Sequence, residues 1–192
     1  MPRFGLLMLA FCAAFPAGAQ VRPPRSEVKS KVPLAPVCQI RLQLGLSVSQ
    51  NISIKSDRIT GADYNLHLED EIIYGFISGQ PTRMKLKDNH ISGSAAGRDL
   101  MLHVKKTGTE CEVSGLVGGS RVSAKVSEHR VTVNAMRGAL YLSRDRGNHL
   151  SGQLGLSSNI APAHMTTYGC ELSMIRDRPE LIVTLFMWWL GN

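Results

Sequence analysis

The sequence is poor in aromatic residues, at 6% Phe, Trp and Tyr, and carries fewer acidic residues than basic ones, 15 Asp and Glu against 22 Lys and Arg. Sparse aromatics leave no stacking platform for single-stranded nucleic acid, so no nucleic-acid partner is expected. No Gly-x-Ser-x-Gly elbow, His-Glu-x-x-His pair, phosphate-cradling glycine loop or Cys-x-x-Cys pair occurs. Each of these motifs sets a nucleophile, metal or phosphate by backbone geometry, and without them no catalytic residue, metal site or cofactor can be named. The histidines are scattered, His67 and His103 in expected strands, His90 and His129 in turns, His149 and His164 in or near loops, with no shared spacing. Neither apolar stretch, Phe4 to Phe15 or Leu181 to Leu190, covers the ~30 Å of a bilayer core, so a helix that spans a membrane is not expected.

What is present is glycine, 18 residues of it, among many Val, Ile, Leu, Ser and Thr, a composition of strands and tight turns. One pattern occurs three times: Ile52-Ser-Ile54, four polar residues, Ile59-Thr60; Met84-Lys-Leu86, four polar residues, Ile91-Ser92; Ala124-Lys-Val126, four polar residues, Val131-Thr132. Side chains alternate faces along a strand, so this writes a β-hairpin whose flanking aliphatics share one face. Ile54 then faces Ile59, Leu86 faces Ile91 and Val126 faces Val131. One step outward Ile52 meets Gly61, Met84 meets Gly93 and Ala124 meets Val133, large against small, as packing at fixed volume requires.

A further strand follows each hairpin, at Leu66-His-Leu68, Leu100-Met-Leu102 and Leu140-Tyr-Leu142, and then a shared ending, Ile77-Ser-Gly79, Val113-Ser-Gly115 and Leu150-Ser-Gly152. Cys38 to Val48 alternates strictly and reads as one long strand, with Ser49-Gln50-Asn51 as the turn after it. Ser157 to Thr167 loses the period and reads as a loop around Pro162. The expectation is an all-β antiparallel meander of about 10–12 strands, curled or closed into a barrel because so wide a sheet seldom stays flat, built from three sequence repeats. Pro179 to Leu190 reads as one C-terminal helix, with Pro at its start and Gly191 just past its end. At about 18 Å it is too short to span a bilayer and is expected to cap or plug the sheet, with Trp188 or Trp189 in the core.

At the other end, residues 1–19 have a basic start at Arg3, an apolar run and the small-residue ending Ala17-Gly-Ala19, the form of a secretory signal cleaved before Gln20. A lipid anchor on Cys12 is disfavoured by the bulky Phe11 before it. Residues 20–37 are proline-rich and basic and read as an extended tether, leaving 38–192 as a single β domain. In an oxidising compartment Cys38 and Cys170 would join the two ends of that domain, leaving Cys111 over. All three cysteines sit two residues before an inward aliphatic, so each is expected to open a strand.

The formal charge of +7 and pI near 9.5 point to anionic partners. On the outer side of the repeated hairpins Lys55, Arg58, Lys85, Lys87, His90, Lys125 and Arg130 occupy matched positions, a candidate stripe for a repeating anionic glycan or a lipid surface. Lysine and arginine on outer faces also keep strands from pairing with other molecules. The acidic run Asp63, Asn65, Glu69, Asp70 and Glu71 reads as a solvated turn ahead of a calcium site. The leading functional expectation is a secreted or periplasmic, non-catalytic domain that binds or supports an anionic envelope component. The alternatives are a carrier or inhibitor with an apolar ligand in the barrel interior, and an enzyme without a recognisable motif. An outer-membrane barrel is disfavoured by short strands and missing aromatic girdles.

Overall fold

A computed structural model describes residues 37–46, 48–156 and 159–191, with side chains described as far as Phe186. The expected signal segment and the tether up to residue 36 lie outside the described residues. The strands are β1 (Cys38–Leu44), β2 (Val48–Ile54), β3 (Arg58–Gly61), β4 (Tyr64–Glu69), β5 (Ile72–Ile77), β6 (Gln80–Lys87), β7 (His90–Ala95), β8 (Arg98–Thr107), β9 (Glu110–Val117), β10 (Ser120–Ser127), β11 (Arg130–Ala135), β12 (Gly138–Arg146), β13 (His149–Leu156) and β14 (Asn159–Tyr168). Each pairs antiparallel with the next, and β1 pairs with β14, so the meander closes into a barrel.

The barrel has more strands than the expected 10–12, for two local reasons. Cys38 to Val48 is not one strand: the chain turns at Gly45 and at Leu46, which is 95% exposed, and Ser49-Gln50-Asn51 lies within β2. Leu44 pairs with Val48, so inward positions on two successive strands fall four apart in sequence and the alternation runs on from one strand to the next unbroken. The supposed loop from Ser157 holds β14. There the inward residues include Ala163 and Thr167, too small or too polar to mark a period, and Pro162 lies just beyond the last β1–β14 ladder pair, where its missing N–H costs little.

The hairpin registers are as expected. Ile54 pairs with Ile59, Leu86 with Ile91 and Val126 with Val131, and next to them Ile52 pairs with Gly61, Met84 with Gly93 and Ala124 with Val133. Ile54 and Val126 are buried and Leu86 is half-buried against the core. The shared ending needs a correction. Ile77 ends β5 and Ser78-Gly79 forms a turn, whereas Val113-Ser-Gly115 and Leu150-Ser-Gly152 lie inside strands. The residue opposite Leu66 is Gly75, as Gly115 is opposite Leu102 and Gly152 opposite Leu142. Gly93 and Gly115 have positive φ of 129° and 154°, and a Cβ on either would run into a neighbouring carbonyl oxygen, that of Arg83 or of Met101. Only glycine permits these sharp bends, which curl the sheet over Met84 and Leu102.

Turns after even-numbered strands share one end of the barrel with the start of β1 and the end of β14; we term this the entry rim. Turns after odd-numbered strands form the far rim. From the entry rim, Cys170 leads into α1 (Leu172–Asp177) and α2 (Pro179–Gly191). Lys106 Nζ donates to the Asp177 carbonyl at 2.8 Å and holds this junction to β8. Leu181 to Phe186 are buried on every side of α2, and its buried Thr184 donates to the Glu180 carbonyl at 2.8 Å. Tyr64, at the far-rim end of β4, reaches the Leu185 carbonyl at 3.5 Å. The helix therefore runs along the interior from the entry rim, a plug as the sequence leads one to expect. Thirteen residues give about 20 Å of helix, close to the ~18 Å height of seven-residue strands tilted as in barrels. Burial of its five apolar side chains from Leu181 to Phe186 contributes on the order of 10 kcal/mol at most. Trp188 and Trp189 lie outside the side chains described.

The disulfide joins Cys38 to Cys170. Cys38 opens β1, Cys111 is the second residue of β9 and is buried, and Cys170 lies in the bend before α1, so the three do not open equivalent strands. Inward positions are apolar and outward ones such as Arg41, Lys85 and Glu112 polar, the reverse of a lipid-facing barrel wall. No helix among the described residues is long and apolar enough to cross a membrane.

Candidate functional site

Strand alternation puts Arg83, Lys85 and Lys87 on the outer face of β6, all exposed, because Thr82 and Met84 face the core. Residues two apart on a strand are about 6.6 Å apart, so these three cations form a column. The register extends it sideways. Lys87 pairs with His90, and His90 pairs with His103 on β8, their rings edge to face with centroids 5.1 Å apart. The His90 ring is held by its Nδ1, 2.9 Å from the Asp88 carbonyl oxygen. Lys105 stands two residues beyond His103 on the same outer face.

On the other side, Arg58 pairs with His67, His67 with Tyr74 and Tyr74 with Arg83. His67 stacks on Tyr74 at 5.2 Å, and the Tyr74 hydroxyl donates to Glu69 at 2.6 Å. That bond to a carboxylate pushes the Tyr74 pKa above its ordinary value. Glu69 is thus engaged by Tyr74, and the outer wall from β3 to β8 is dominated by cations and imidazoles.

Of the residues singled out from the sequence, Arg58, Lys85, Lys87 and His90 come together on this wall. Lys55 sits in the adjoining turn between β2 and β3. Lys125 and Arg130 do not join them, because β9 intervenes with two glutamates. Lys125 Nζ lies 3.3 Å from Glu112 and 3.8 Å from Glu110, which neutralise it. Arg83, His103 and Lys105 stand outside the repeated pattern, although spacing by two along the strands that hold Lys85 and His90's partner marks them. The acidic run is split by β4: Asp63 accepts a bond from Gln50 near the far rim, and Glu69 to Glu71 stand at the entry rim. No group of three metal-ligating side chains gathers among the described residues.

A second grouping lies where the barrel closes. His149, at the start of β13, places Nδ1 2.8 Å from both Asp145 carboxylate oxygens, and its ring stacks on His164 of β14 at 5.6 Å. His164 is therefore a strand residue and not a loop one. With Arg41, Gln43, Thr166 and Tyr168 these rings line a cleft of about 220 Å³. The hydrogen bond to His149 holds the Asp145 carboxyl below the usual carboxylate range. Arg41 gives the cleft a cationic contact, and Gln43, Thr166 and Tyr168 give it polar ones.

Comparison with protein-family models, with curated proteins and with solved structures gives no match.

Proposed function

We propose that this is a secreted or periplasmic, non-catalytic barrel domain that binds an anionic polymer of the cell envelope, such as an acidic glycan, along the outer wall of β6 to β8. The observation that carries the reading is the column Arg83, Lys85 and Lys87 with His90, His103 and Lys105 beside it. An extended polyanion meets such a surface through many weak, salt-screened contacts whose sum gives useful affinity. Export is supported by the signal-like first residues and by a disulfide of the kind that persists in oxidising compartments. Binding on the outside is favoured over an interior carrier site because α2 and the inward side chains take up the interior.

The test is retention on an immobilised polyuronate as salt is raised. Lys85→Glu with Lys87→Glu elutes at markedly lower salt, whereas Lys125→Glu, already neutralised by Glu110 and Glu112, elutes close to the parent. Equal, salt-sensitive retention of the double variant overturns the assignment.

A further inference from the structure

The two rims differ in chemistry. Most exposed large apolar side chains lie towards the far rim: Leu46 in the β1–β2 turn at 95% exposure, Met136 in the β11–β12 turn at 79%, Ile160 at 74% and Leu156 on the β13–β14 hairpin, with Leu116 and Phe76 one or two residues from their turns. β9 to β14 and β1 are neighbours in the barrel, so Leu116, Met136, Leu156, Ile160 and Leu46 form one continuous arc. The β1–β2 turn is tied to β14 by the Gly45 N–H, which donates to the Pro162 carbonyl at 2.7 Å.

The acidic residues are divided as well. Among the described residues the far rim carries the acids Asp63 and Asp99 alone, and Asp63 is engaged by Gln50. Arg98, Arg121 and Arg137 stand there too, Arg98 half-buried and Arg121 and Arg137 exposed. The entry rim by contrast has acidic residues in four of its six turns, Asp57, Asp70, Glu71, Asp88 and Glu128, with Asp145 near the end of β12. Turn tips on the rim of a closed cylinder lie near one plane, so a flat partner can touch all of them at once and a groove-binding peptide cannot.

We propose that the far rim docks on a phospholipid surface bearing anionic headgroups: Leu46, Met136 and Ile160 enter the acyl boundary while Arg98, Arg121 and Arg137 meet the phosphates. Apolar burial together with charge attraction is the combination that holds proteins to such surfaces, and neither alone suffices. The attachment uses the opposite end of the strands from Lys87 and His90, so a barrel docked in this way keeps its basic wall free for a polymer.

Co-flotation of the purified protein with vesicles tests this. It floats with phosphatidylcholine–phosphatidylglycerol vesicles and much less with phosphatidylcholine alone. Leu46→Asp, Met136→Asp and Ile160→Asp combined cut the bound fraction on the mixed vesicles by about tenfold or more, with an unchanged melting temperature because all three side chains are exposed. Arg121→Glu with Arg137→Glu weakens binding to the mixed vesicles at low salt. Lys85→Glu with Lys87→Glu floats as the parent does while losing polyuronate retention, which separates the two surfaces. Failure of the parent to float, undiminished flotation of the triple Asp variant, or loss of flotation in the Lys85, Lys87 variant overturns the proposal.

Discussion

Cys38, the first residue of β1, is disulfide-bonded to Cys170, which follows β14 and leads into α1. The bond sits where the barrel closes, beside the Gln39–Tyr168 ladder pair, and at the root of the helical plug. It spans a sequence separation of 132 residues, so it removes many open conformations from the unfolded chain. Cys38→Ser with Cys170→Ser is expected to lower unfolding stability by about 5 kcal/mol in the chain-entropy model. Urea unfolding of the parent with and without reductant, against the double variant, measures it. Equal midpoints for oxidised and reduced parent would refute the expectation.

Much of this architecture is legible in the residues. Volume matching fixes Met84 opposite Gly93 and Ala124 opposite Val133, since a one-residue slip would turn each aliphatic outward. Legibility fails where local pattern and sheet geometry part. The Leu44, Leu46, Val48 alternation survives a turn, and small inward residues hide β14. The basic wall is half legible: Lys85 and Lys87 stand out by repetition, but their joining to His103 and Lys105 depends on which strands become neighbours. Lys125 matches Lys85 in the pattern, and Glu112, remote in sequence logic, neutralises it. The polarity of the two rims is not a periodic property at all, because it is spread over turns that meet only when the barrel closes.

Gly93 should be intolerant of any side chain. Its φ of 129° is strained for an L residue, and a Cβ would meet the Arg83 carbonyl oxygen. Gly93→Ala is expected to cost about 1–3 kcal/mol. Gly155→Ala is the control: its Cβ would lie 3.8 Å from the nearest atom, the Ala139 carbonyl oxygen, and the change should stay within about 0.5 kcal/mol. Paired thermal melts decide it, and similar shifts for the two would refute the bend argument.

Cys111 is 1% exposed, and burial pushes its thiol pKa up, with Lys106 opposing the shift only in part. The thiolate is the reactive form, so two barriers act together. In the native protein at pH 8 a disulfide reagent should leave Cys111 unlabelled over hours, with labelling after urea unfolding. Rapid stoichiometric labelling without denaturant would show that this part of β9 opens.

Asp145 offers a pH signature. Its carboxyl is held low first by the hydrogen bond to His149, with the backbone N–H of Arg146 helping. A depressed carboxyl pKa favours the folded state above the unfolded carboxyl's ordinary value near 4, and that preference disappears as pH falls through the lower folded value. His149→Ala should therefore raise the Asp145 pKa towards the ordinary range. Carboxyl carbon shifts followed by NMR from pH 2 to pH 6 test this, and an unmoved midpoint would place the cause elsewhere.

Phe186 tests whether the plug holds the barrel together or merely fills it. The ring is 1% exposed, on the same helix as Leu181, Ile182 and Leu185, and every one of these faces inward strands and not solvent. A barrel this wide cannot close its interior with strand side chains alone, so α2 completes the core. Phe186→Ala should cost about 3–5 kcal/mol, since the surrounding wall is fixed by ladders and relaxes little into the cavity. Phe76→Ala, on the outer wall at 52% exposure, should change stability by less than about 1 kcal/mol. If the two substitutions shift the urea midpoint alike, the barrel stands without its helix, and α2 is an occupant rather than a structural part.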